Sequence, residues 1–142
     1  MLLKQMILSF ISTVAFSAFF SGPKKSLPVA GFLGMLNWII FLFINENLGY
    51  SKIVAAFFGT VICSILAELA AQKFKMPATV FIIPCLLPLV PGAGVYYTMF
   101  DFVNKKPTAS SQAIETLLIA GAMAFGIIVS SVFSNSIKRK TY

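Results

Sequence analysis

The sequence predicts an all-α integral membrane protein of five transmembrane helices, the fourth of them broken at a Pro/Gly motif. Of its 142 residues 58% are hydrophobic and only 11% are charged, too little polar surface to cover a soluble globule. The apolar residues gather into runs close to the roughly 20 residues that cross a bilayer. One run, Met76 to Phe100, is apolar throughout yet carries Pro77, Pro84, Pro88, Pro91, Gly92 and Gly94.

The spans are expected at Leu2 to Phe20, Leu27 to Ile44, Ser51 to Gln72, Pro77 to Phe102 and Ser110 to Ile137, a single transmembrane domain over residues 1–142. The first run has an early Lys4 and small residues at Ser17 and Ala18 that imitate a secretory signal. Its apolar character continues through Phe19 and Phe20, with Lys24 and Lys25 on the far side, so the reading is a retained helix. Ser-Gly-Pro at 21–23, Asn-Glu-Asn at 45–47, Lys75 to Pro77 and Asn-Lys-Lys-Pro at 104–107 punctuate the runs.

The net charge of +7 sits in small clusters between the runs, the pattern of membrane topology and not of a nucleic-acid face. Positive residues stay cytoplasmic. That rule puts Lys24, Lys25, Lys73, Lys75 and the tail Lys138, Arg139 and Lys140 inside, with Glu46 and Lys52 outside. The expectation is therefore a multi-pass protein of the inner or plasma membrane, N-terminus outside and C-terminus cytoplasmic. Lys105 and Lys106 run against it, falling outside if the Pro-rich run crosses.

Within the third run Ala55, Gly59, Cys63, Ala67 and Ala71 recur every fourth position, as do Ala122, Gly126, Ser130 and Ser134 in the fifth. Such ladders let helices approach closely, a main source of association in lipid. Beside the first ladder runs a second stripe, Ala56, Thr60, Ser64, Glu68 and Gln72, a hydroxyl track ending in a carboxyl. A charge at a helix centre costs about 2.5–3.5 kcal/mol on insertion scales. Glu68 is thus either a pathway group or an interfacial carboxylate paired with Gln72 or Lys73. Asp101 is read as a pathway residue or a helix-end charge beside Lys105, Asn37 as a cross-helix hydrogen bonder, and Tyr96 and Tyr97 as interfacial belt or cavity lining.

In the fourth run a helix would deprive the carbonyls of Val80, Pro84 and Leu87 of their donors, because Pro84, Pro88 and Pro91 have no N–H. Gly92 and Gly94 tolerate positive φ. Unpaired backbone at membrane depth persists only inside protein or beside a wet cavity. Two half-helix ends would then meet, the first offering carbonyls and the second N–H groups, a pairing suited to an amino acid zwitterion or a small carboxylate.

Catalysis is poorly served. With no His and a single Asp, there is no HExxH metal site, no imidazole base and no aspartate pair. Cys63 and Cys85 fall in predicted spans as small buried thiols. No Gly-rich phosphate loop appears. The chain reads as a non-enzyme without cofactor or metal, its energy drawn from an ion or substrate gradient.

The run Ala67-Glu68, then Lys75-Met76-Pro77-Ala78-Thr79-Val80-Phe81, then Pro84 and Pro88-Leu89-Val90-Pro91-Gly92-Ala93-Gly94, resembles the threonine/serine exporter family, in particular the small five-helix subunit that matches the C-terminal half of full-length exporters. The resemblance implies efflux of threonine/serine or of a dicarboxylate such as succinate. It also implies a larger partner subunit with its own membrane helices and a cytoplasmic portion. The positions it marks are Glu68, Pro77, Thr79, Pro84, Pro88, Pro91, Gly92 and Gly94; the Tyr96-Tyr97 pair departs from the more basic continuation of the family. The competing readings are an accessory or scaffold protein, and a homo-oligomeric pore.

Overall fold

The computed structural model describes residues 2–138, with side chains for residues 3–134. Among these residues all regular structure is helical: α1 (Leu2–Phe19), α2 (Leu27–Leu42), α3 (Lys52–Phe74), α4 (Thr79–Leu86), α5 (Gly92–Val103) and α6 (Ala109–Lys138). Arg139 and Lys140 and the side chain of Lys138, on which the cytoplasmic assignment of the C-terminus leans, lie outside the described residues.

α1 turns its small hydroxyl stripe inward. Ser9, Thr13 and Ser17 are buried, and the Ser9 hydroxyl donates to the Gly34 carbonyl of α2 at 3.1 Å. Gly31 and Gly34 leave the room that Phe10, Val14 and Thr13 occupy, so two apolar helices meet backbone to backbone. Pro28 sits in the first turn of α2, where its missing N–H is one that no helix could use. α2 ends in a π-helical turn, Phe43–Asn47.

Ser51 caps α3, accepting from the Val54 N–H at 3.5 Å. α3 is the central helix, with both four-residue stripes buried, from Ala55 and Ala56 to Ala71 and Glu68. It closes on Lys75 in the left-handed region at φ 53°, with the Met76 N–H bonded back to the Ala71 carbonyl at 3.0 Å.

Helix direction follows from contacts. α2 is antiparallel to α3, since Asn37 sits against Gly59 and the Cys63 thiol donates to the Leu33 carbonyl. α3 and α6 run parallel: Lys52 pairs with Glu115, Phe57 with Phe125 and Thr60 with Gly126. The α4–α5 pair therefore carries the chain from the end of α3 back to the end at which α3 began.

Among the described residues three helical stretches are long and apolar enough to cross a membrane: Leu27–Asn47, Lys52–Phe74 and Ala109–Ser134. A fourth is reached if Thr79–Leu89 and Gly92–Val103, bent by 47°, form one span. α1 has 18 residues, about 27 Å at 1.5 Å per residue, just short of a hydrocarbon core of about 30 Å. Five crossings are thus not reached by length and apolarity alone.

Candidate functional site

The fourth run breaks where its prolines fall. α4 ends at Leu86, a 3-10 turn covers Leu87–Leu89, and α5 restarts at Gly92. The Pro84 carbonyl accepts from the Leu87 N–H, and the Leu87 carbonyl from the Val90 N–H at 3.1 Å. Tightening to donors three residues on satisfies two of the three carbonyls, those of Pro84 and Leu87, that an α-helix would have orphaned. The Cys85 carbonyl has no such recourse, because the residue three ahead is Pro88. Asn37 supplies the donor, its Nδ2 bonding the Cys85 carbonyl at 2.9 Å. Asn37 is completely buried, and Gly59 makes the space, since a Cβ there would lie 2.9 Å from Asn37 Oδ1.

The two glycines do not use the freedom that the sequence suggested. Positive φ occurs at Ser21, Gly49, Lys75 and Lys105, and at neither Gly92 nor Gly94. Pro91 instead turns the chain at φ −75° and ψ 51°, with the Gly92 N–H bonded to the Val90 carbonyl at 2.7 Å. Gly94 serves close approach: a Cβ would stand 2.7 Å from Thr116 Oγ1 of α6. The helix-start amides of Ala93 and Gly94 have no side-chain cap, so the second half of the break presents donors while the first half is largely self-satisfied.

The residues predicted for a pathway are distributed among several places. Pro91, Gly94 and Tyr97 line a cleft of about 330 Å³ together with Lys52, Gln112, Glu115 and Thr116. Pro88 lines a second cleft of about 350 Å³ with Ser9, Ser12 and Trp38. Thr79 and Pro84 border a third, of about 200 Å³, with Ser17 and Gly22. Gly92 has open space about its Cα. Tyr96 is exposed, stacking on Phe100 and meeting Tyr97 edge to face.

Thr60, Ser64 and Glu68 lie elsewhere, in the α3–α6 seam. All three are buried, as are Ser130 and Ser134 of α6. The Thr60–Gly126 contact, continued by four-residue steps, sets Ser130 level with Ser64 and Ser134 level with Glu68. The hydroxyls of Thr60, Ser64 and Ser130 have no hydrogen-bond partner among the described residues. Glu68 makes no ion pair among the described residues; Lys73 and Gln72, its sequence-suggested partners, are exposed.

Asp101 is buried at the far end of α5, accepting from the Thr108 hydroxyl at 2.8 Å and pairing with Lys106 at 3.2 Å. Its cationic neighbour is Lys106, not Lys105, because Lys105 takes the left-handed turn that brings the Lys106 N–H onto the Asp101 carbonyl. Cys63 and Cys85 are free and buried.

Lys52, Gln112, Glu115 and Thr116 did not emerge from sequence reasoning. The available signal was modest: Gln112, Glu115 and Thr116 share one face of the fifth run by three- and four-residue spacing. Nothing in the sequence linked that face to Lys52.

No solved structure matches the chain significantly. A protein of Mycobacterium tuberculosis described as a probable threonine/serine exporter is 24% identical over 118 residues, covering 82% of this chain. The chain spans 22% of that relative's length. The family profile described as "Threonine/Serine exporter, ThrE" matches residues 5–133. With nearly its whole length matched, an apolar helical fold and a broken helix at the Pro/Gly motif, the chain belongs to the threonine/serine exporter family of membrane transporters.

Proposed function

We propose that this chain is the small subunit of a two-component secondary exporter of small metabolites, threonine/serine or a dicarboxylate such as succinate, driven by an ion or proton gradient in the cell membrane. The observation that carries the reading is the interrupted α4–α5 pair inside a chain of an exporter family. Half-helices that meet within a membrane domain expose main-chain groups to a solute without exposing them to lipid.

The parallel course of α3 and α6 supports a crossing by α4 and α5 over a re-entrant hairpin, which would have reversed α6. If α1 spans as well, at the lower limit of length, the five crossings put the termini on opposite sides. Lys24, Lys25, Lys73 and Lys75 then all fall on the cytoplasmic face, with the N-terminus outside. A second half of opposite orientation, carried by a larger subunit, would complete an inverted-repeat transporter. The 22% coverage of the longer relative agrees with a larger assembly.

Glu68 is the coupling group in this reading. Its carboxyl closes a buried seam in which the hydroxyls of Thr60, Ser64 and Ser130 lack partners among the described residues, and groups of that kind in a membrane interior accept water or a proton. The test measures threonine and succinate release from cells lacking the chain, with and without a co-encoded larger protein. Restored export that needs both proteins supports the reading. Export that is unchanged by loss of the chain refutes it, and gradient-driven export that persists in Glu68→Gln removes Glu68 from coupling.

A further inference from the structure

Both cysteines of the chain meet at one point of the core, outside the clefts beside the break. Cys63, midway along α3, and Cys85, one residue before the end of α4, are completely buried. Each is tied to the same stretch of α2. The Cys63 thiol donates to the Leu33 carbonyl at 3.2 Å. One turn further along α2, Asn37 Nδ2 donates to the Cys85 carbonyl at 2.9 Å. The Cys85 thiol donates to the Ile82 carbonyl of its own helix at 3.2 Å. The two cysteine side chains also hydrogen-bond each other, within a cluster that holds Leu33, Ala67, Phe81 and Leu86.

The other steps of this α3 ladder are Ala55, Gly59, Ala67 and Ala71, small residues with no reactive atom. Two thiols in contact across two helices fill the same space and can in addition bond to one another. A buried thiol is inert while its surroundings stay closed. Those surroundings include α4, which has eight residues and runs straight into the 3-10 turn of the break. A short element of this kind opens locally at a lower cost than global unfolding, which admits a small oxidant to Cys85 and its neighbour together.

We propose that Cys63 and Cys85 form a peroxide-sensitive dithiol, whose disulfide locks α4 to α3 beside the break. The oxidant is hydrogen peroxide, small and uncharged enough to enter a membrane. One sulfur attacks a peroxide oxygen, the O–O bond breaks, and the thiol proton goes to the departing hydroxide, leaving a sulfenic acid and one water. The second sulfur attacks the sulfenic sulfur, the S–S bond forms, and the displaced hydroxide takes the second thiol proton as another water. Two thiols thus give up two electrons while one peroxide is reduced to two waters. A dithiol reductant reverses the bond by exchange. Parts of a broken-span transporter rock against one another during turnover, so the lock halts export; that consequence rests on the exporter reading above, whereas the bond itself does not.

The experiment uses membrane vesicles from cells expressing the full chain with its native partners. They are treated with hydrogen peroxide, denatured in N-ethylmaleimide and read by mass spectrometry without reductant. The wild type is expected to yield a peptide pair joining Cys63 to Cys85, lighter by two hydrogens than the reduced pair and separated by dithiothreitol. Threonine transport in the same vesicles should fall in proportion to the cross-linked fraction and return with dithiothreitol. Cys63→Ala and Cys85→Ala should each form no cross-link and keep their transport through peroxide. Maleimide on both cysteines of the peroxide-treated wild type, or sulfinic and sulfonic products in place of the cross-link, overturns the dithiol. A complete cross-link with transport at its untreated level overturns the lock. Reduced wild-type vesicles that transport neither threonine nor succinate overturn the exporter reading and the halt of export with it, while the cross-link is decided by the mass spectrum alone.

Discussion

Replacing Asn37 by Ala tests what holds the break. Asn37 Nδ2 donates at 2.9 Å to the Cys85 carbonyl, whose would-be 3-10 donor is the imino nitrogen of Pro88. Truncation leaves that carbonyl without its donor in the interior, a cost of about 1–3 kcal/mol for a buried polar group. Cross-helix bonds within membranes measure lower, about 0.6 kcal/mol on average and about 1.7 at most. A loss of about 1–2 kcal/mol follows, which raises the opened population about 5- to 30-fold. The reporter is Cys85, fully buried one turn before the break, in a Cys63→Ala background. Its alkylation by a maleimide in mild detergent tracks local opening. Leu42→Ala, a cavity elsewhere on α2, is the control: it should lower global stability without selectively speeding Cys85. Equal Cys85 protection in Asn37→Ala and its parent would refute the claim that the Asn37 amide substitutes for the missing donor.

Gly126→Leu should separate α3 from α6, because even a Cβ there stands 3.1 Å from Thr60 and 3.2 Å from the Phe57 carbonyl, which is backbone and cannot turn away; overpacking of this kind costs about 1–3 kcal/mol or more, read as a lower midpoint in detergent unfolding. Lys75→Gly should raise stability by about 1 kcal/mol, read as a higher midpoint, since a non-glycine residue at φ 53° carries the left-handed penalty of about 1–2 kcal/mol; an unchanged or lower midpoint would count against it. Glu68→Gln should leave insertion and threonine exchange near the parental level while abolishing accumulation against a gradient, as measured by paired counterflow and driven uptake.

Much of the fold was legible because membrane solvent enforces strong local signals. Apolar runs, a Pro-Gly break and small residues at four-residue spacing each have one economical structural solution, and the buried ladder from Ala55 to Ala71 is what such spacing requires. Asn37 was readable as a cross-helix hydrogen bonder for the same reason. Its acceptor was not, because the Cys85 carbonyl lies 48 positions away and becomes needy only once the 3-10 turn forms around Pro88. The glycines at 92 and 94 misled in detail: composition reveals that a backbone is free to adopt positive φ, not that it does. The cleft at Lys52 and Glu115 was hidden because it depends on the parallel register of α3 with α6, a long-range relation that no local pattern encodes.

That parallel pairing also has a consequence in time. Thr60 leaves the ribosome roughly 65 residues before Gly126, about 3–13 s at synthesis rates of about 5–20 residues per second. During that interval α3 has no α6 to cover its hydroxyl face, and Glu68 must wait in the insertion machinery or among lipid headgroups. Nascent chains arrested just short of Gly126 should accordingly be the species most readily handed to membrane proteases.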